Sequence, residues 1–109
     1  MAGRAHRFDV YLTAPDPVRG SEIAKARPCA IVSSDEMNLR LRTVIVVPMS
    51  SKPKGYPFRL PVGFGGVSGE LLTDHIRSVD RSRLIRHLGT LDPATSQALL
   101  AKLVDIFQP

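Results

Sequence analysis

The chain has 109 residues, with 15 Lys and Arg against 10 Asp and Glu, 43% hydrophobic residues, no Trp and a single cysteine. That length makes one domain, residues 1–109; Cys29 alone forms neither an internal disulfide framework nor a multi-cysteine zinc site, and no apolar run approaches the ~20 residues of a membrane span. The net charge of +5 lies in the first part of the chain, where residues 1–59 carry ten basic and five acidic side chains while residues 60–109 carry five of each, a field that favours a polyanionic partner such as nucleic acid.

The start, Met1 to Arg7, is polar and basic with no apolar stretch behind it, so it is not read as a secretory signal, and a cytoplasmic protein is expected. Arg7 to Leu12 alternates and is rich in strand formers, which predicts a first strand. A loop from Thr13 to about Arg27 follows, marked by Pro15, Pro17 and Gly20. Pro28 to Ser33 reads as a second strand, because Pro is tolerated at a strand's first position; within it Cys29, flanked by Pro28 and Ala30-Ile31-Val32, reads as a buried small hydrophobe. Ser34 to Asn38 is polar and is expected to turn. Thr43 to Met49 is the strongest strand, apolar on both faces and therefore central.

Ser50 to Gly55 closes that strand as a loop, and Phe58 to Val62 alternates again. Four glycines between Gly63 and Gly69 predict a turn. Glu70 to Thr73 and Arg77 to Val79 read as short strands around Asp74-His75, and a short helix is expected from Asp80 to Ile85. Asp92-Pro93 is a helix start, the carboxylate capping free N–H groups and Pro suiting the first helical position. Ala98, Leu99, Leu103, Ile106 and Phe107 then fall on one stripe through residues 93–107. Several short strands in a small chain predict a compact β-barrel or a strongly bent sheet with one terminal helix packed on it.

Motifs for nucleotide binding, zinc proteolysis and serine hydrolysis are absent from the sequence, and His6, His75 and His87 are too widely spaced to read as a metal site. No cofactor and no metal are expected. Three polar clusters remain. Gly20 to Pro28 delivers Glu22, Lys25 and Arg27 to a strand entrance; Pro48 to Lys52 puts Ser50, Ser51 and Lys52 at the exit of the core strand; Leu72 to Arg77 carries Thr73, Asp74, His75 and Arg77. Carboxylate, guanidinium and hydroxyl groups converging at strand ends could cleave a ribose phosphodiester without a metal. A base takes the 2′-OH proton, a cation stabilises the phosphorane, and an acid protonates the leaving 5′-oxygen. The competing reading of each cluster is loop salt bridging and hairpin capping. The stretch 37–69 holds Arg40, Arg42, Lys52, Lys54 and Arg59 and no carboxylate, which suits phosphate contacts. Tyr56 and Phe58 lie beside those cations; Tyr56 suits stacking on an unpaired base, and Phe58 suits the core equally.

The ordered set of motifs resembles the MazF/PemK (Kid-like) toxins of bacterial toxin–antitoxin systems. The resemblance rests on Asp9-Val10-Tyr11-Leu12, Gly20-Ser21-Glu22 with Lys25-x-Arg27-Pro28, and Val46-Val47-Pro48-Met49-Ser50-Ser51. It continues through Lys54-Gly55-Tyr56-Pro57-Phe58 and Gly69-x-x-x-x-Asp74-His75-x-Arg77-Ser78-Val79-Asp80, so that it covers about residues 7–107. It implies an SH3-like small β-barrel with a C-terminal helix, a homodimer, and metal-independent cleavage of single-stranded RNA, mostly mRNA at short motifs. The products would carry 2′,3′-cyclic phosphate and 5′-hydroxyl ends, and growth would stop until a cognate antitoxin covered the groove. Carried over by position, Arg27 is the catalytic arginine, Ser50 the strand-end hydroxyl, Glu22 the loop glutamate and Asp74 the acidic base. Lys25, Ser51, Lys52, Lys54, Tyr56, His75 and Arg77 are the expected substrate-binding residues.

One position departs from the pattern: the Kid-like branch has an arginine two residues before the acid, and Leu72 stands there. Arg27 or His75 would then have to be the proton donor, and the assignment of acid and base stays open. Two other readings remain. A same-fold toxin that poisons gyrase would use a bulky aromatic pair near the chain end, where this sequence has only Phe107; an RNA-binding barrel without catalysis would follow if Leu72 marks lost activity.

Overall fold

The computed structural model describes residues 5–15 and 25–109. Among these residues seven strands, β1 (Asp9–Thr13), β2 (Arg27–Ile31), β3 (Thr43–Ser50), β4 (Leu60–Phe64), β5 (Val67–Leu71), β6 (Arg77–Asp80) and β7 (Leu84–Thr90), form one antiparallel sheet in the order β4-β5-β3-β2-β1-β7, with β6 paired to β3. Helix α1 (Asp35–Arg40) links β2 to β3, and α2 (Pro93–Ile106) closes the fold. The sheet curls into an open half-barrel, so the expected small β-barrel with a C-terminal helix is the fold that forms.

β3 is central, as its two-faced apolar pattern predicts. One edge of β3 pairs with β2. The opposite edge pairs first with β6 over Thr43 to Val46 and then with β5 at Met49 and Ser50. The change of partner falls at Val47-Pro48, where proline has no N–H to give a ladder. Successive side chains of a strand face opposite sides, and the core divides accordingly. Val47 joins Ala30, Val32, Val10, Leu71, Leu99 and Leu103 beneath α2, whereas Val44 and Val46 pack with Cys29, Ile31 and Val79 on the other face.

Several expectations need correction. Ser34 to Asn38 is not a turn: Ser34 accepts from the Met37 N–H, Asp35 and Glu36 occupy the first turn of α1, and Arg40 pairs with Glu36, an arrangement that suits the helix dipole. The glycine segment turns only at Gly65-Gly66, both left-handed at φ +59° and +78°; β5 therefore begins at Val67 and ends at Leu71 rather than running from Glu70 to Thr73. The helix expected from Asp80 to Ile85 is a single 3₁₀ turn, Arg81–Arg83. Beyond it lies β7, which the sequence reading did not anticipate; its mostly solvent-facing pattern has no strong alternation because, among the described residues, it is an edge strand paired only with β1. β1 starts at Asp9 because the chain bends at Phe8, whose φ is +76°.

The terminal helix forms as expected. Leu99 and Leu103 are buried, Ala98 and Ile106 are half-buried, and Phe107 is exposed. Asp92 caps α2 by accepting from the Thr95 N–H at 2.7 Å, and that N–H holds the Asp92 carboxyl below its ordinary range. A lowered folded-state pKa stabilises above the unfolded value and loses its effect as pH falls through the folded one. Asp92→Ala should lower the thermal midpoint by roughly 5 °C at neutral pH, with the deficit shrinking in acid; melting curves at pH 7 and in acid measure both. No helix among the described residues is long and apolar enough to cross a membrane.

Candidate active site

The register of β2 on β3 pairs Cys29 with Pro48. Continuing that antiparallel ladder by two residues sets Arg27, at the start of β2, opposite Ser50, at the end of β3. Both line one cavity of about 490 Å³, together with Ser51 and Lys52 and the apolar groups of Met49, Phe64 and Val67. The Ser50 hydroxyl accepts from the Lys52 N–H at 3.1 Å, which engages one lone pair and leaves the hydroxyl proton to donate. β5 comes unusually close here: a Cβ on Gly69 would lie 2.3 Å from the Ser50 carbonyl oxygen. Only glycine lets the two strands meet at this distance, and Gly69 is a wall of the cavity that the sequence reading took for part of a turn.

Arg27 also lines a second cavity, of about 320 Å³, with Lys25, His75 and Arg77. Among the described residues no carboxylate lines it. Its floor includes Cys29, buried as expected, whose thiol is pushed up by burial against the smaller opposing pull of Thr13, Arg27 and Arg77. A thiol raised in this way is a poor nucleophile. Arg27 therefore stands where two recesses meet, one carrying Ser50, Ser51 and Lys52 and the other Lys25, Arg77 and His75. Glu22 lies outside the described residues.

Asp74 occupies the 3₁₀ turn Thr73–His75 and lines neither cavity. Its two oxygens accept from Arg59 Nε at 2.8 Å and from a terminal guanidinium nitrogen at 2.9 Å. This two-pronged bond holds the Asp74 carboxyl at about 2 and raises Arg59. His75 Nε2 lies 3.6 Å from the same carboxylate, so Asp74 reaches the second cavity only through its neighbour. Of the four residues expected to do the chemistry, Arg27 and Ser50 share a cavity and Asp74 sits outside it.

Arg59 was expected to face phosphate. Its side chain is only 11% exposed, and besides Asp74 it approaches Glu70 at 3.5 Å. The acid-free stretch of sequence is thus not acid-free in space, and Arg40 is likewise paired, with Glu36. Lys52, which lines the first cavity, and Lys54 remain exposed. The Arg59 guanidinium lies 4.9 Å from the Tyr56 ring centre and 5.9 Å from that of Phe58. Those two rings stack on each other at 5.2 Å and are 46% and 40% exposed. Phe58 is therefore a surface ring, not a core one. Glu70, fully buried, was read only as a strand residue; a lone carboxylate in the apolar run Glu70-Leu71-Leu72 was the signal that could have found it.

The sequence model of a family described as PemK-like, MazF-like toxin of type II toxin–antitoxin system matches residues 6–107. The chain is 33% identical over 89 residues to the endoribonuclease toxin MazF of Escherichia coli strain K12, covering 81% of this chain and 80% of that protein. It is 32% identical over 98 residues to the endoribonuclease MazF9 of Mycobacterium tuberculosis, with 81% and 83% covered. Among solved structures, MazF (Form-I) from Deinococcus radiodurans superposes with a TM-score of 0.80 at 28% identity, covering 96% of this chain and 97% of that one. A MazE–MazF complex from the same organism gives 0.79 at 25% identity, with 96% of each chain covered.

Proposed function

Because the chain belongs to the PemK-like, MazF-like toxins of type II toxin–antitoxin systems, we propose that it is an endoribonuclease toxin that cleaves single-stranded RNA, mRNA above all, by attack of the ribose 2′-hydroxyl and without a metal ion. The observation that carries this reading is the meeting of Arg27 and Ser50 in one open cavity at the end of β3. The 2′-oxygen attacks phosphorus, the bond to the 5′-oxygen breaks, and the products carry a 2′,3′-cyclic phosphate and a 5′-hydroxyl. Arg27 places a planar fork of N–H donors on the non-bridging oxygens as charge gathers there, and Ser50 adds the hydroxyl proton that Lys52 leaves free to point outward. A guanidinium does not give up its proton in a protein, so Arg27 is the stabiliser and His75, which lines the second cavity with Arg27, is the donor that protonates the leaving 5′-oxygen. Glu22, on the chain leading into Arg27, is the proton acceptor. Asp74, held at about 2 by Arg59, is a weak base at neutral pH and acts by orienting His75.

The substrate strand runs across the two recesses. Lys25 and Arg77 meet phosphates in the second cavity beside His75; Ser51, Lys52 and Lys54 meet them at the first, and Tyr56 stacks on an unpaired base. The cognate antitoxin is an acidic segment that folds onto the same basic groove, and the toxin works in the cytoplasm as a homodimer. The MazE–MazF complex among the similar structures supports the antitoxin part of this reading.

Purified protein free of antitoxin, incubated with single-stranded RNA in excess EDTA, is expected to cut it and leave 5′-hydroxyl ends. Intact RNA from a folded sample overturns the proposal.

A further inference from the structure

The loop between β3 and β4 is exposed, yet its backbone is held at almost every turn by groups from elsewhere. Glu70, buried in β5, accepts from the Lys54 N–H at 3.1 Å with one oxygen and from the Gly55 N–H at 3.0 Å with the other. Two successive N–H groups can converge on one carboxylate because Gly55 takes a left-handed φ of +77°, which gives the chain an anion-binding concavity. Further along, Lys102 of α2 donates to the Pro57 carbonyl at 2.9 Å, and the Thr73 hydroxyl donates to the Phe58 carbonyl. Arg59 then returns beneath the loop to Glu70 and Asp74, with its guanidinium against Tyr56 and Phe58.

Burial pushes the Glu70 carboxyl up, but the two N–H groups and Arg59 outweigh it and keep it ionised. A buried carboxylate persists only where such partners satisfy it. In this chain its partners are the loop that carries the aromatic pair, not the cavity that carries Arg27 and Ser50.

We propose that Glu70 is a positioning residue for substrate recognition: its buried carboxylate presets the Lys54–Phe58 loop and, through Arg59, holds Tyr56 and Phe58 as a rigid two-ring platform for an unpaired base of the RNA substrate. The inference rests on the RNA-cleaving reading above and adds to it the reason that the platform is ready before RNA arrives. Stacking on a ring already fixed loses less conformational entropy than stacking on a mobile one. Lys54, on the same loop, meets the neighbouring phosphate with its orientation likewise set.

Glu70→Gln keeps the shape but offers only one carbonyl oxygen to two N–H groups. With long single-stranded RNA, KM is expected to rise about tenfold while kcat falls less than threefold, because binding is lost and the Arg27–Ser50 cavity is spared. Amide hydrogen exchange at Lys54 and Gly55 should speed up in the same variant. Tyr56→Ala, a surface change that leaves the core alone, should raise KM by a similar factor, and in the double variant the two factors should not multiply.

An unchanged KM in Glu70→Gln, or a double variant in which the factors multiply in full, overturns the inference while leaving the RNase reading intact. Should the wild-type protein fail to cut RNA, the RNase reading falls first. The exchange rates and the affinity for an uncleavable 2′-O-methyl oligonucleotide then still decide whether Glu70 sets a base-binding loop. If Glu70→Gln does not fold, Arg59→Lys provides the same KM readout, since an ammonium cannot bond both carboxylates and back the rings in one plane.

Discussion

Arg27→Ala is expected to slow RNA cleavage by at least about a hundredfold, in line with the loss of a single preorganised donor to a developing oxyanion, and to leave the fold in place. The side chain is exposed at the first residue of β2, and the ladder to β1 at Thr13 is made by backbone groups that alanine retains. What disappears is the fork of donors between the two cavities, with its fixed charge. Arg27→Lys restores the charge without the fork and should recover only a small part of the rate. Single-turnover cleavage of a short RNA, alongside circular dichroism and a melting curve, separates the chemical loss from any structural one. Full activity in Arg27→Ala would remove the guanidinium from the mechanism.

Gly69→Ala should be the more damaging change per atom added. A methyl group there would stand 2.3 Å from the Ser50 carbonyl oxygen, 3.3 Å from its carbonyl carbon and 3.6 Å from the Ser51 Cα. All three are backbone atoms, so no side chain can swing away. β5 must withdraw from β3 just where Ser50 pairs with Glu70. Overpacking of this kind costs about 1–3 kcal/mol, and the strand shift carries the Ser50 hydroxyl away from Arg27. Stability measured in denaturant should fall by that amount, and the cleavage rate should fall by about tenfold or more at temperatures where the variant is still folded. Gly63→Ala is the control: nothing lies within 4 Å of a Cβ there and its φ is not left-handed, so both quantities should stay near wild type.

What the sequence reveals and what it hides follow from how far apart the interacting residues lie. β3 is legible because a run of apolar residues on both faces has no other stable place than the middle of a sheet. α2 is legible because Asp92-Pro93 and the leucine stripe are neighbours in sequence. α1 carried its own start in Ser34, Asp35 and Glu36, yet it is six residues long, too short for periodicity to show. Among the described residues β7 is an edge strand paired to β1 alone, some 75 residues earlier, and no local pattern encodes that. For the candidate site, the ordered motifs single out Arg27 and Ser50, and their shared cavity follows from a strand register. The pairing of Arg59 with Asp74 and Glu70 was not found, because counting charges along the chain cannot tell which cation folds back on which anion. It changes how each partner is held: Arg59, read from the sequence as a phosphate contact, folds back on two carboxylates, and Asp74, read as the base, is bonded to that guanidinium.

That pairing has a consequence for acid titration. Asp74 passes from a carboxyl that ionises near 3.8 when the chain is unfolded to one near 2 when it is folded, so its contribution is complete above about pH 4 and disappears only as the solution approaches pH 2. Throughout the neutral and mildly acidic range, the clasp between Arg59, just before β4, and the turn after β5 stays charged and shut. A bell or a slope in a rate profile near neutrality must then be written by other groups, and the clasp itself would register only in strong acid.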